Sequence, residues 1–251
     1  TGDLMFDDLD RLTSFVQDAH NQVLVFHSED QGCIDHNASR LHPEKMESFH
    51  EFSVHSEIRS SRCALKSTRA IINWATRNQL AIHLAHLSTP DEMELILQAN
   101  AKGAKITTEV TPHHLLFSTE DYPQWGPFLK MNPPLRERQE VRKLQQHFAR
   151  GDINIFATDH APHTREEKTK SQYNDCPSGI PSIEFFAPLL LTLANRFAQD
   201  QNFALHMGSA IPASLFGFPK AGNIAKSFDA NFVWAQKQVF IPAEEIGRAH
   251  V

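Results

Sequence analysis

The stretch Ile153-Asn154-Ile155-Phe156-Ala157-Thr158-Asp159-His160-Ala161-Pro162-His163 constrains the fold more than any other part of this chain. Its first five residues are mostly apolar, and Pro162 stops any further strand pairing. Short apolar runs of this kind suit the inner sheet of an α/β protein, where strands are buried on both faces. Asp159 then stands at the carboxyl end of the strand, where parallel barrels keep their chemistry. Alone, an Asp and two His in a polar turn are an ordinary feature. Two further strands that end in His give the turn its weight.

The rest of the chain alternates strands with helices. Asp7–His20 carries Leu9, Leu12, Phe15, Val16 and Ala19 at helical spacing. Val23–Phe26 is an apolar, β-rich run that delivers His27. Gln31–Ser56 is polar and reads as a long excursion with one short helix, a length that is usually functional. Ser60–Asn78 is a helix, and Leu80–His86 is a strand that again ends in His. Ser88 or Thr89 caps the next helix, which opens with Pro90, Asp91 and Glu92 and is ended near Ala101 by Gly103. Lys105–Val110 is a third strand, leading into Thr111-Pro112-His113-His114-Leu115 and a loop to Arg136. Glu137–Arg150 is a helix, and the Ile153 strand follows. The polar stretch from Pro162 to Pro181 reads as a mobile loop. Ile183–Phe197 and Phe203–Phe216 are helices, and Gly222–Val233 reads as a short β segment.

Four strands joined through helices predict a parallel sheet with right-handed crossovers. Four cannot close an eight-stranded barrel, and no Gly-rich dinucleotide turn follows any of them. The expected fold is α/β, the carboxyl-terminal half of a (β/α)8 TIM barrel over residues 1–218, with the start of a small β-sandwich segment at 219–245. The final Ile246-Gly247-Arg248-Ala249-His250-Val251 resembles a translated sequencing adapter and is set aside as non-native. That tail and the opening Thr1-Gly2 lead us to expect an internal fragment of a longer protein.

With a net charge of −6 and no basic run, the chain lacks the surface of a nucleic-acid binder. No apolar run is long enough for a transmembrane helix, and no signal peptide opens the chain. Cys33, Cys63 and Cys176 are odd in number and widely spaced, which favours free thiols in a reducing, cytoplasmic setting over a disulfide scaffold. Fifteen histidines are many, and His is the commonest metal ligand. His27, His86 and Asp159 reach the same end of the sheet. Two imidazoles and a carboxylate suit zinc. A metal-bound water becomes a nucleophile near neutral pH, and a carboxylate beside it can pass the proton to a leaving nitrogen.

The motifs His27-Ser28-Glu29-Asp30, His83-Leu84-Ala85-His86-Leu87-Ser88-Thr89, Glu109-Val110-Thr111-Pro112-His113-His114-Leu115, Lys130-Met131-Asn132-Pro133-Pro134-Leu135-Arg136 and Ala157–His163 carry a family resemblance. The chain resembles the dihydroorotases, among the cyclic amidohydrolases of the amidohydrolase superfamily, from about Thr1 to Val233 in family order. The resemblance implies a zinc hydrolase, with two ions per intact subunit, that interconverts dihydroorotate and N-carbamoyl-aspartate in pyrimidine synthesis. It makes His27 and His86 metal ligands, and Asp159 a metal ligand and the catalytic base and acid. Asn132 and His163 become substrate contacts, and Ser178 and Gly179 offer backbone groups to the ring. It further implies a homo-oligomer when intact, with association to a carbamoyltransferase as an option. His160 is expected only to shape its turn, His113 and His114 to be structural, and His36, His42, His50 and His55 to lie at the surface. Phe185 and Phe186 are expected in a helix core rather than as a stacking platform.

The departures matter equally. The family's His-x-His motif, its early Arg and Asn contacts and its bridging ligand, often a carboxylated Lys, are absent from this sequence. Ile211 stands where the family usually has Asn. The chain alone is therefore expected to be inactive and poorly stable, with open strand edges. The competing readings are a sister enzyme acting on hydantoin, dihydropyrimidine or allantoin, and a non-catalytic scaffold.

Overall fold

In a computed structural model of the protein, residues 9–16, 22–42, 52–170, 173–197 and 199–234 are described. Four strands, β1 (Leu24–Phe26), β2 (Ala81–Leu84), β3 (Lys105–Val110) and β4 (Ile155–Phe156), pair in parallel in the order β1-β2-β3-β4. Helix α1 (Leu9–Val16) precedes β1, and α2 (Gln31–Leu41), α3 (Val54–Ile58) and α4 (Ser61–Arg77) separate β1 from β2. Helix α5 (Pro90–Ala101) joins β2 to β3. Between β3 and β4 run α6 (Pro112–Leu116), α7 (Tyr122–Trp125) and α8 (Arg138–Arg150). After β4 come α9 (Arg165–Lys168), α10 (Phe186–Arg196), α11 (Gln201–Leu205) and α12 (Ile211–Leu215). The four expected strands form, and their sequential order is that of half a (β/α)8 barrel.

Local chemistry sets the element ends. Thr89 caps α5: its hydroxyl accepts from Glu92 N at 3.2 Å, and the Glu92 carboxylate accepts from Thr89 N at 3.1 Å. Gly103, at φ +93°, supplies the left-handed turn that ends this excursion. Strand β3 alternates, with Ile106, Thr108 and Val110 buried. Thr107 and Glu109 occupy the opposite face, where both hydrogen-bond the His83 ring. Strand β4 is short and buried throughout, as its apolar run requires.

Among the described residues three hydrophobic clusters form, one of them Ile34, Val54, Ile58 and Cys63 beside α2 and α3. The main one packs Ile71, Trp74 and Ala75 of α4 with Leu84, Ile106 and Val110 of the sheet and with Phe148 and Phe156. Each such buried side chain contributes roughly 1.5–3 kcal/mol. Trp74 is fully buried, and its indole N–H donates to Thr13 Oγ1 at 2.9 Å. The second core joins Phe117, Tyr122, Leu129, Met131, Leu135, Cys176 and Ile180. It lies beneath loops that follow the strands, so those loops have an apolar footing of their own.

The structure corrects several expectations. The excursion after β1 contains an 11-residue helix, α2, whose N-cap Asp30 accepts from Cys33 N at 2.7 Å. The expected loop before Arg136 holds α6, α7 and two turns of 3-10 helix. Cys33 and Cys63 are bonded, with Cα atoms 5.4 Å apart, instead of being free thiols. They lie in the first turns of α2 and α4, a juxtaposition that the 30-residue separation hides. Residues 217–234 form turns, bends and irregular backbone without strand pairing among the described residues, and Ile224, Phe232, Val233 and Trp234 are exposed there. No neighbouring strand reaches them. His50 and the ends of the expected Asp7–His20 helix lie outside the described residues.

Candidate active site

Strands β1 and β2 bring two imidazoles together. His27 Nδ1 lies 3.0 Å from His86 Nε2, and His27 Nε2 lies 2.9 Å from Glu29 Oε2. The carboxylate can only accept, so His27 Nε2 carries a proton and His27 Nδ1 is an acceptor for His86 Nε2–H. His86 Nδ1 is then unprotonated, and it has no hydrogen-bond partner among the described residues. The local backbone serves this placement: His86 sits at φ +38° and Asp159 at φ +46°, a region few non-glycine residues occupy. Such strain persists where the surroundings over-determine it, commonly at functional sites. The turn after β2 is held from β3, because Leu87 N donates to Glu109 O at 2.8 Å and His86 N to Glu109 Oε1 at 3.3 Å.

Charges behind the pair are buried. Burial pushes the Glu29 carboxyl up, but the His27 hydrogen bond and the Arg59 guanidinium, 2.8 Å away, together hold it below the usual range. Burial and the neighbouring His27 hold His86 below the ordinary imidazole value, against the opposing charges of Asp159, Glu109 and Glu29. Arg136 is buried, donating to Ser88 Oγ at 2.9 Å and to Arg59 O at 2.6 Å, which ties the Ser88 turn to the chain that carries Arg59.

The donor set fits a metal in part. Two imidazoles on one tetrahedral zinc ion stand roughly 3.3 Å apart, given bonds of about 2.05 Å. The 3.0 Å spacing of the His27 and His86 nitrogens matches that. Glu29 behind His27 is the carboxylate that metal-bound histidines usually have. Yet no three His, Cys, Asp or Glu side chains converge on one point among the described residues, so Asp159 does not complete the set. Asp159 is exposed at its strand end and reaches His86 only through its charge.

The four residues expected to meet substrate do converge. Ser178 Oγ donates to Asn132 Oδ1 at 3.4 Å, and His163 Nε2 to Ser178 O at 3.2 Å. Gly179 N donates to Lys130 O at 2.9 Å. A Cβ on Gly179 would stand 2.5 Å from Ala161 O and 3.2 Å from the His163 ring, so only glycine permits this approach. Gly179 spends both its backbone groups within the protein, since its carbonyl accepts from Lys168. Its lack of a Cβ permits this close approach, and its carbonyl, which accepts from Lys168, keeps a second lone pair.

Other expectations resolve individually. His160 shapes its turn, Nδ1 accepting from Ser182 N at 3.0 Å and Ile183 N at 3.2 Å. His114 is structural: it is buried and bonded to Thr111 Oγ1 and Pro133 O. His113 is buried beside it, with neither ring nitrogen bonded among the described residues. Phe186 packs its ring 5.7 Å from Phe156, in the helix core as expected. His55 is not a surface residue. It is buried, with Nε2 donating to Met131 O at 2.9 Å and Nδ1 accepting from the Tyr173 hydroxyl. Burial, aided by the charges of Lys130 and Arg59, pushes it down to about 3.

The loop from Pro162 to Pro181 is fastened, by Lys168 and Lys130, and not free. Sequence reasoning placed Glu29 and Lys130 in motifs without giving either a role, and missed Lys168. Glu29 left a signal two residues after the strand-ending His27, and Lys130 two residues before Asn132.

No family model matches the chain. It is 36% identical over 211 residues to a dihydroorotase of Halobacterium salinarum, covering 84% of this chain and 47% of that protein. To a dihydroorotase of Methanosphaera stadtmanae it is 32% identical over 223 residues, covering 89% and 50%. Its fold matches an L-hydantoinase (dihydropyrimidinase) from Arthrobacter aurescens with a TM-score of 0.84 at 23% identity, over 92% of this chain and 52% of that one. A D-hydantoinase from Thermus sp. gives a TM-score of 0.80 at 25% identity, over 89% and 50%. The chain thus spans about half the length of the curated relatives it matches. On sequence similarity along most of its length, and on half of a TIM-barrel amidohydrolase fold, the chain belongs to the dihydroorotase family of cyclic amidohydrolases.

Proposed function

We propose that this chain supplies the carboxyl-terminal half of a zinc-dependent dihydroorotase, which interconverts (S)-dihydroorotate and N-carbamoyl-L-aspartate in de novo pyrimidine biosynthesis. One observation carries the reading: Asn132, His163, Ser178 and Gly179 form a single cradle. It lies toward the end of the sheet where β1, β2 and β4 deliver His27, His86 and Asp159. The substrate is anionic; in this reading Asn132 Nδ2 donates to its carboxylate, and His163 Nε2–H exchanges the Ser178 carbonyl for it.

In this reading His27 and His86 hold metal, and Glu29 fixes the His27 tautomer. Zinc, two ions per intact subunit, would polarise the ring amide and supply a water nucleophilic at neutral pH. Asp159 takes the proton of the attacking water on its carboxylate and returns it to the leaving ring nitrogen. The cradle binds the ring and its carboxylate through contacts made alike to substrate and transition state, which sets KM more than kcat. With one imidazole pair and one outlying carboxylate, the chain by itself is expected to be inactive. The remaining proposals are a barrel part at 1–218, a sandwich segment at 219–245, a cytoplasmic homo-oligomer and a carbamoyltransferase as partner.

The hydantoinase names of the fold neighbours favour a second reading, a sister cyclic amidohydrolase. The carboxylate donors Asn132 and His163 weigh against it. A non-catalytic scaffold is weakened by the paired His27 and His86. The test is dihydroorotate hydrolysis by the intact gene product, with and without chelator, and by its Asp159→Asn variant. Chelator-sensitive turnover that falls by about 10²-fold or more in the variant is expected. Hydantoin turnover without dihydroorotate turnover would move the assignment to the sister enzyme.

A further inference from the structure

Two lysines are buried in the loops beyond the strands, and neither makes an ion pair with a carboxylate among the described residues. Lys168 is 4% exposed, and its ammonium donates to Lys130 O, Pro177 O and Gly179 O, each at 3.0 Å. An ammonium has three N–H donors, so these carbonyls saturate it. Lys130 is 6% exposed and donates to Tyr173 O and Cys176 O, both at 2.6 Å, with its Nζ 4.0 Å from the centre of the Tyr173 ring. Burial pushes both down to about 8, with the nearby Cys176 opposing, so at pH 7 both are mainly charged.

A buried charge without a counter-charge is costly, and it persists here because carbonyl dipoles replace water around it. The carbonyls that meet Lys168 come from the segments that build the cradle. Lys130 O lies two residues before Asn132. Pro177 O and Gly179 O flank Ser178. Lys168 itself ends the helix that starts just after His163. Lys130 O also accepts from Gly179 N, so two donors meet on one oxygen. Removing the ammonium orphans the Gly179 carbonyl, leaves Pro177 O only the long 3.7 Å contact from Cys176 Sγ, and leaves Lys130 O only its bond from Gly179 N.

We propose that Lys168 is a positioning residue for the substrate cradle, its ammonium clamping the Asn132, Ser178–Gly179 and His163 segments into one rigid surface. The inference rests on the proposed dihydroorotase reading for the identity of the substrate, but not for the clamp. An uncompensated cation beneath the cradle also favours an anionic ligand. Contacts made equally to substrate and transition state lower KM and leave kcat alone. The loss of Lys168 should therefore appear in KM.

The experiment uses Lys168→Met and Lys168→Gln in the intact gene product. Circular dichroism checks the fold, hydrogen exchange at the Gly179 and Ala161 amides reads the clamp, and dihydroorotate kinetics read the cradle. In Lys168→Met both amides should exchange at least tenfold faster, with KM raised at least tenfold and kcat within threefold of the parent. Lys168→Gln keeps two donors and should fall between. If Lys168→Met does not fold, Lys168→Gln carries the same comparison. Exchange within threefold of the parent in the folded variants overturns the proposal, as does a loss of kcat at constant KM. A parent that does not turn over dihydroorotate would sink the functional reading instead, and the exchange data would still decide the clamp.

Discussion

Replacing Gly179 with Ala should loosen the cradle while leaving the barrel helices intact. Gly179 sits at φ +147°, a backbone region that residues with a Cβ rarely enter. Forcing an alanine there costs about 1–3 kcal/mol in backbone strain. Its Cβ would also stand 2.5 Å from Ala161 O and 2.7 Å from Ala161 Cβ, so the two chain segments must separate. Overpacking of this kind adds about 1–3 kcal/mol. The segments are held by Ala161 N donating to Ile180 O at 3.2 Å and by the Lys168 bond to Gly179 O. A local penalty of about 2 kcal/mol or more, at 1.4 kcal/mol per factor of ten, should speed exchange of the Ala161 amide by about 30-fold or more. Exchange followed by NMR reads this directly, with the Val141 amide in α8 as the control. Ala161 exchange within threefold of the parent would refute the reasoning. A rise shared equally by Val141 would also refute it, because the effect would then be global.

The Cys33–Cys63 bond predicts one reactive thiol, Cys176, in non-reducing denaturant and three after reduction; three thiols without reductant would contradict the bond. Closing a 30-residue span is worth roughly 3–4 kcal/mol on chain-entropy grounds, so reduction should lower the urea midpoint measurably. His55 predicts an acid-side loss of stability. Its folded value of about 3 lies below the ordinary 6.5, so between those values the unfolded chain binds a proton that the folded chain refuses. Stability should therefore fall as pH drops from 6.5 toward 3, by up to about 4–5 kcal/mol from this residue. Urea midpoints at pH 7, 5 and 4 would show it, and His55→Gln should flatten the slope; the same slope in parent and variant would exclude His55 as the source.

What could be read in the sequence was local in origin. Val23–Phe26, Leu80–His86 and Ile153–Ala157 are apolar runs that break at polar residues, so both the strands and the residues at their ends follow from neighbours along the chain. The Thr89–Glu92 cap was equally legible, since its partners lie three residues apart. Once the strands are parallel, His27, His86 and Asp159 must share an end of the sheet.

What only the tertiary structure decided depends on partners far apart in sequence. His55 looks like any surface histidine until Met131 and Tyr173, 76 and 118 residues away, close over it. Lys168 looks like a solvated helix residue, and its charge is buried because the Lys130 carbonyl, 38 residues away, meets it together with those of Pro177 and Gly179 across a loop. Cys33 and Cys63 carry no spacing signal, and they meet because α2 and α4 begin side by side. The gap between Asp159 and the His27–His86 pair has the same origin: the sequence determined which end of the sheet each residue reaches, and only the packed chain leaves the three short of converging. Sequence pattern carries direction along a strand, and distances across the sheet follow from packing.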